Sequence, residues 1–522
     1  MVARHPAVET RSTPVEETLM RSWWPLVAIC LGTFVLLVDV TIVNVALPPI
    51  AASLGTSFSA LQWVIDGYAL ALAALLMVTG TLADRFGRRR LYLAGLGVFA
   101  ASSLACGLAP SAGALVAARV AQGCGGAAMF ATTAALIATT YQGPRRGTAF
   151  GVWGAVNGLA AACGPLLGGL LTEAWGWRAI FLVNLPVVAV AVVLTLAVVT
   201  ESAPGRAGRV DVAGATTFTV AAASLVWGLV SAGERGWGAT PTVVALALAA
   251  VALGAFLAVE HRSAAPMLDL GLFGRSFSAL MVAAAVLSAS AFAHLALVSL
   301  WLQSVLGLSP IRAGLVALPL SLAAFAVSAV AGRFLHSGSP ARPVGGGLAL
   351  IGIGVLLMTA VGAGSGPWAL VPGLVVAGLG VGLATPVLVS ATLAVLPPHS
   401  AGVGSAAVNT FRQLGLAVGL AVLGTVFTRR VATVLGAAGA PDADGLAVVL
   451  AGGGTPGVLA ATPPAERPAV AALVGEAFPA GLDAVFVVAG LAALVAALLV
   501  AVLVRPAAPA DAAAVPQTVG SQ

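Results

Sequence analysis

Leu37-Val38-Asp39-Val40-Thr41-Ile42-Val43-Asn44-Val45-Ala46-Leu47-Pro48 sets a carboxylate deep inside a long apolar run, and that placement decides how the chain is read. Charge at bilayer depth costs at least ~2.5 to 3.5 kcal/mol on insertion scales, so an acid kept there points to a proton or cation site. The plainer alternative is an Asp that braces a neighbouring helix.

The run around Asp39 is the first of a series. A spanning helix needs ~20 mostly apolar residues, and fourteen segments qualify: 24–48, 61–82, 91–109, 113–139, 147–172, 179–200, 211–231, 241–260, 277–302, 311–332, 343–362, 368–394, 403–428 and 482–504. Of 522 residues, 60% are hydrophobic and 8% charged, against the ~25% charged residues of a soluble globular protein. The bilayer is therefore the solvent of this chain. Cys30, Cys106, Cys124 and Cys163 all fall in apolar segments with no CxxC pair, so they read as packing residues and not as a metal site or disulfide framework. The first twenty residues hold Arg4, Glu9, Arg11, Glu16 and Glu17 and lack an apolar core, so no cleavable signal peptide is expected.

All 24 basic residues are Arg, and the net charge of +6 reads as membrane orientation and not as nucleic-acid binding. Sixteen arginines lie on the face shared by the termini, six on the other, and Arg119 and Arg412 lie within spans. That bias puts both termini in the cytoplasm. The long loop 431–481 then lies outside, and its Ala, Gly and Pro content suggests a loosely ordered segment.

The loop "GTLADRFGRRR" (80–90) after the second span has a degraded echo, "AGRFLHSGSPAR" (331–342), after the tenth. The repeat predicts two six-helix halves, the layout of a transporter. The expected divisions are an N-terminal tail 1–23, a first bundle 24–200, an inserted helix pair with its loops 201–275, a second bundle 276–504 and a C-terminal tail 505–522.

Several residues are chemically informative without further context. Arg119 lies roughly two turns, ~9 to 12 Å, from the external end of its span at 1.5 Å per residue, with Gln122 and Gly123 on its face. By the same rise Asp39 is ~14 Å deep and Asp66 about two turns in, so two carboxylates and one guanidinium form a candidate titratable cluster. A guanidinium nearby favours the ionised form of a carboxylate, and separating the two removes that preference. Arg119 as a hydrogen-bond anchor and Asp66 as a wetted interfacial acid remain the structural alternatives. Ser405, Asn409 and Arg412 recur at i, i+4 and i+7 with Gln413 adjacent, a polar stripe that belongs in the bundle interior. His294 is well inside a span; its chemistry suits proton relay, and a packing histidine is the favoured reading.

The stretches "LVDVTIVNVALP" (37–48), "GTLADRFGRRR" (80–90), "RVAQGCGGA" (119–127), "CGPLLGG" (163–169), "WRAIFLVNLP" (177–186) and "AGVGSAAVNTFRQLGLAVG" (401–419) together resemble the fourteen-span drug:proton antiporters of the major facilitator superfamily, the EmrB/QacA type. The resemblance runs from about residue 24 to 504 and implies an all-α polytopic membrane fold, two six-helix bundles plus an inserted pair. It implies that Gly80, Asp84, Arg85, Gly87 and Arg88 form a conformational latch, Asp84 meeting a neighbouring helix N-terminus when the cavity faces outward. A basic stop-transfer loop is the alternative there. The resemblance also gives Asp39 and Arg119 a part in proton coupling. It makes Gly164, Pro165, Gly168 and Gly169 the antiporter signature, where an ordinary kinked packing helix is the alternative. Asp66, Asn44, Asn409, Arg412 and Gln413 become candidates for substrate or cation recognition. Many members lack an acid at the position of Asp66, and its presence resembles the branch exporting cationic antiseptics and dyes.

The expectation is a proton-driven exporter of small amphipathic or cationic organic compounds in the bacterial inner membrane, working as a monomer. No GxxxxGK[ST] motif appears, so ATP is not the direct energy source. No metal cluster, cofactor motif or positioned nucleophile appears either, which argues against an enzyme. A proton-coupled importer or facilitator of a nutrient shares the fold, and a non-transporting membrane sensor is the reading from another class.

Overall fold

Inside a bilayer every backbone N–H and C=O must be satisfied within the protein, and for a continuous apolar segment the helix does this. A computed structural model describes residues 23–56, 58–202, 211–263, 266–334, 340–362, 364–394, 396 and 400–504. The elements are α1 (Trp24–Leu54), α2 (Phe58–Phe86), α3 (Arg88–Gly107), α4 (Ala112–Thr140), α5 (Gly143–Trp175), α6 (Ala179–Val198), α7 (Val212–Arg235) and α8 (Thr240–Arg262). The second half comprises α9 (Arg275–Val305), α10 (Pro310–Phe334), α11 (Ala341–Ala360), α12 (Pro367–Ala394), α13 (Ala401–Ala437), the short α14 (Ala443–Ala451) and α15 (Thr455–Ala461), and α16 (Arg467–Leu503). No strand occurs among the described residues.

Among the described residues thirteen helices are long and apolar enough to cross a membrane, and the remaining expected span, 147–172, lies inside the 33-residue α5. The chain is thus an all-helical, multi-pass membrane protein. α9 contains two π-helical stretches, Ala289–Ala293 and Trp301–Val305, each widening the helix by one residue per turn. The N-terminal and C-terminal tails lie outside the described residues, as do Arg206, Arg209 and residues 335–339 of the echo.

Within the first half α2 packs on α4, α3 on α4 and α1 on α5; in the second, α11 packs on α12 and α16, and α10 on α12. The halves meet where α5 lies along α10 and where α13 crosses α2 and α4. α7 packs on α8, α2 and α13, so the inserted pair lies alongside both halves.

One expectation is overturned. The segment 431–481 is not loosely ordered: α13 continues to Ala437, α14 and α15 follow, and α16 begins at Arg467. The Ala-rich stretch has one apolar face, and Ala447 and Leu450 are fully buried beside α13.

Candidate functional site

Four side chains from three helices close around Asp39 of α1. Arg119 Nη1 donates to Asp39 Oδ2 in an ion pair, and Gln122 Nε2 donates to Oδ1 at 2.9 Å. Asn184 Nδ2 reaches the same Oδ1 at 2.8 Å from α6. Ser103 Oγ of α3 accepts from Gln122 Nε2 at 2.8 Å and from Asn184 Nδ2 at 3.2 Å. Asp39 is 0% exposed and Arg119 1%.

The guanidinium is held on its other sides as well. Its Nε donates to the Val64 carbonyl of α2 at 3.0 Å, and Nη1 also donates to Gln122 Oε1 at 2.6 Å. The Tyr68 ring stacks 4.2 Å from it and the Phe181 ring 5.8 Å, which supplies cation–π attraction. Taking either partner away would strand a buried charge, a loss of about 3–5 kcal/mol for such pairs. The arrangement seals the carboxylate and its guanidinium partner together from solvent. Proton exchange requires Asp39 to be uncovered, so a proton site of this geometry is tied to a change of shape.

Asp66 does not join this network. It lies two residues past Val64 and lines a cavity of about 800 Å³ with Ala69 and Ala73 of α2. The physical reason is helical: at 100° per residue, Val64 and Asp66 point to different faces of α2. The other walls come from α7 (Val226, Leu229, Val230), α9 (Ala293, Ala296, Leu297) and α13 (Gln413, Leu416, Ala417), with Arg235, Arg429 and Trp237 also lining it. That volume suits a drug-sized molecule. Trp237 Nε1 donates to Thr425 Oγ1 at 2.7 Å, joining the α7–α8 turn to α13.

At the far ends of α2 and α13 the halves are closed. Asp84 Oδ1 accepts from Arg88 Nε at 3.1 Å and Nη2 at 2.7 Å, and from Gly402 N at 2.8 Å; Oδ2 accepts from Val403 N at 2.8 Å. The carboxylate thereby caps the N-terminus of α13, satisfying two of its orphan N–H groups and meeting its positive dipole end. Gly80 permits the approach: a Cβ there would collide with Ala406 Cβ and lie 2.8 Å from the Gly402 carbonyl. Arg85 is partly exposed with its guanidinium 5.8 Å from the Phe86 ring. Gly87 has φ +105°, and Glu201 occupies the space beside it, accepting Arg89 N and Arg90 N at 3.1 Å each.

In α5, a Cβ on Gly164 would overlap the Thr41 hydroxyl of α1 and lie 2.7 Å from Thr41 Cβ, while one on Gly169 would lie 3.3 Å from the Ile311 side chain of α10. Gly168 is buried. The glycine motif thus sits where α5 touches both halves. The side chains of Pro165 and Asn44 lie outside the described residues.

Asn409 Nδ2 donates to the Phe130 carbonyl of α4 at 3.3 Å, which turns the polar stripe of α13 toward the opposite half. His294 is buried with Nδ1 2.9 Å from the Ser290 carbonyl and its ring edge-on to Phe486 at 5.7 Å, as a packing histidine would be. The four cysteines are free, and Cys106 Sγ lies 3.8 Å from Gln122 Oε1. Sequence reasoning missed Ser103, Asn184 and Glu201. Asn184 does stand in "WRAIFLVNLP", a polar residue inside an apolar run, and that was the available signal.

Residues 29–420 match the family model described as Major Facilitator Superfamily. The chain is 39% identical over 403 residues to the multidrug resistance protein Stp of Mycobacterium tuberculosis (strain CDC 1551 / Oshkosh), covering 77% of this chain and 75% of that one. It is 35% identical over 522 residues to the tetracenomycin C resistance and export protein of Streptomyces glaucescens, covering 96% and 95%. It is 37% identical over 447 residues to the puromycin resistance protein pur8 of Streptomyces alboniger, covering 83% and 88%. In structure it resembles the crystal structure of the human organic anion transporter MFSD10 (TETRAN), with a TM-score of 0.58 at 17% identity over 94% of this chain and 100% of that one, a likeness of fold alone.

Proposed function

Because the chain belongs to the Major Facilitator Superfamily, it is a membrane transporter and not an enzyme, and we propose that it is a proton-driven drug exporter of the fourteen-span antiporter branch. Relatives named for multidrug resistance, antibiotic resistance and export support the direction and the drug-like cargo. The single observation that carries the coupling is the sealed Asp39–Arg119 pair.

In this reading the described state has its latch face closed, by Asp84 on α13, and its cavity toward the opposite side. Arginine bias makes the latch face cytoplasmic, so the termini are cytoplasmic, the membrane is the bacterial inner membrane and the cavity is outward. Asp39 takes a proton when the network around it parts, and loss of the charge removes what holds Arg119, Gln122 and Asn184 together. Arg119 Nε bonds the backbone of α2, the helix that carries both Asp66 and Asp84, so the state of Asp39 bears on cavity wall and latch together. A ligand or proton shifts such an equilibrium by its differential affinity for the two states.

Asp66 and Gln413 meet the substrate; Asn44, Asn409 and Arg412 belong to the same path. The protein works as a monomer and needs no cofactor beyond the proton gradient. The test is uptake of puromycin and of a cationic dye into inverted vesicles with an imposed pH gradient. Gradient-dependent uptake that collapses with an uncoupler is expected; uptake of neither compound, or uptake indifferent to the gradient, contradicts the reading.

A further inference from the structure

The fold leaves one row of enclosed polar atoms on α13 unsatisfied. Ser405 Oγ, Asn409 Oδ1, and Arg412 Nε and Nη1 are all enclosed and have no hydrogen-bond partner among the described residues. The ion pairs Asp84–Arg88, Glu201–Arg90 and Asp39–Arg119 do not involve Arg412, and no acid pairs with it among the described residues. An unpaired guanidinium in mid-span is among the most costly groups a membrane helix can carry, and an unsatisfied enclosed donor adds to that.

The location of the row says what it serves. Asn409 Nδ2 is bonded to Phe130 of α4, so the row faces the junction of the halves and not lipid. Gln413, next to Arg412, is the α13 residue of the cavity lining nearest the latch, and Leu416, one turn beyond Arg412, also lines it. Arg412 keeps partial exposure. The residue therefore adjoins the latch-side end of the cavity lining, and opening the latch would part α13 from α4 and uncover the row.

We propose that Arg412, with Asn409, docks an anionic oxygen of the transported compound, a carboxylate, phenolate or enolate. The inference deepens the export reading and rests on it. The guanidinium supplies charge-assisted donors to the anion, and Asn409 Oδ1 accepts a hydroxyl beside it. Asp66, higher on the cavity wall, leaves the same cavity able to take a cationic group, so the substrate class extends to amphipathic acids and amphoteric compounds.

The probes are fluorescein, anionic at pH 7.5, and rhodamine 123, a cation on the same ring system. Equilibrium binding to the purified full-length protein is followed by fluorescence anisotropy. Arg412→Gln should weaken fluorescein binding about tenfold or more and leave rhodamine 123 within about twofold, as removal of one charged donor predicts. Arg412→Lys should retain most fluorescein affinity, and Asn409→Ala should lose part of it. Fluorescein should raise the thermal midpoint of the parent protein and not that of Arg412→Gln, and the unliganded variant should melt above the parent because an unpaired charge is gone. Absence of fluorescein binding by the parent, a loss shared equally by both dyes, or fluorescein binding indifferent to Arg412→Gln overturns the proposal. If Arg412→Gln does not fold, Arg412→Lys and Asn409→Ala decide by the same dye comparison. Binding that depends on Arg412 without gradient-driven transport sinks the export reading and keeps the site; transport without such binding does the reverse.

Discussion

Asp84 and Gly402 stand 318 positions apart in sequence and 2.8 Å apart in space, the carboxylate of α2 capping the first turn of α13. The bond joins the halves at one face only, opposite the cavity, so it belongs to one conformational state. Asp84→Ala would remove the acceptor shared by the Gly402 and Val403 N–H groups and Arg88 Nε and Nη2. Spin labels at Phe86→Cys and Arg342→Cys, both exposed positions, should then report a longer mean distance across the latch face, and transport should fall about tenfold or more with insertion retained. An unchanged distance distribution would show that the bond does not hold the face closed.

Gly164 is expected to be intolerant of a single methyl group for a reason local to Thr41. Gly164→Ala drives its Cβ into the Thr41 side chain, an overpacking that costs ~1–3 kcal/mol. The double variant Gly164→Ala/Thr41→Ala should recover much of the lost thermal stability. If the double variant is as unstable as the single one, the constraint at Gly164 comes from helix bending and not from contact with α1.

Asn184 is predicted to act on Asp39 although no motif reading singled it out. Asn184→Ala removes one of three donors to the carboxylate, a change of about 1–3 kcal/mol for a buried acceptor left short. Measured as initial transport rate against pH, the variant should show a displaced optimum with little change in affinity for the drug. A loss confined to drug affinity would place Asn184 in the substrate path instead.

The spans were legible because length and apolarity are additive along the chain. Asp39 with Arg119 was legible because depth can be counted from either end of a helix. Asp66 lies at the depth counted for it but outside the Asp39–Arg119 network, because the face it takes on α2 depends on packing partners that spacing does not reveal. Ser103 and Asn184 were invisible as partners because the network joins α1, α3, α4 and α6, and no spacing rule links single polar residues on separate spans. Glu201 at the base of α3 was missed likewise. Segment 431–481 misled because Ala and Gly read as disorder until the apolar face of α14 has a neighbour to cover it.

Asp66 should govern which compounds travel more than how they are energised, since it lines the cavity and is absent from the set of side chains bonded to Asp39. Asp66→Asn is expected to weaken export of cationic, above all dicationic, compounds and to spare neutral ones. Uptake of a dicationic and a neutral substrate into the same vesicles checks this. Equal loss of both would assign Asp66 to coupling.

The pair at the centre of the account predicts an order of severity. Arg119→Lys keeps the charge but loses the planar fork that reaches Asp39, Gln122 and Val64 together; it should retain partial transport with a shifted pH optimum, and Arg119→Ala should do worse. The most direct measurement concerns Asp39 itself. Asp39→Asn keeps the size of the side chain and removes its titration; purified and reconstituted in proteoliposomes, it should insert and bind drug yet show no drug-stimulated proton movement and no accumulation driven by a pH gradient. Gradient-driven accumulation by Asp39→Asn at the parent rate would contradict the claim that the coupling proton resides on Asp39.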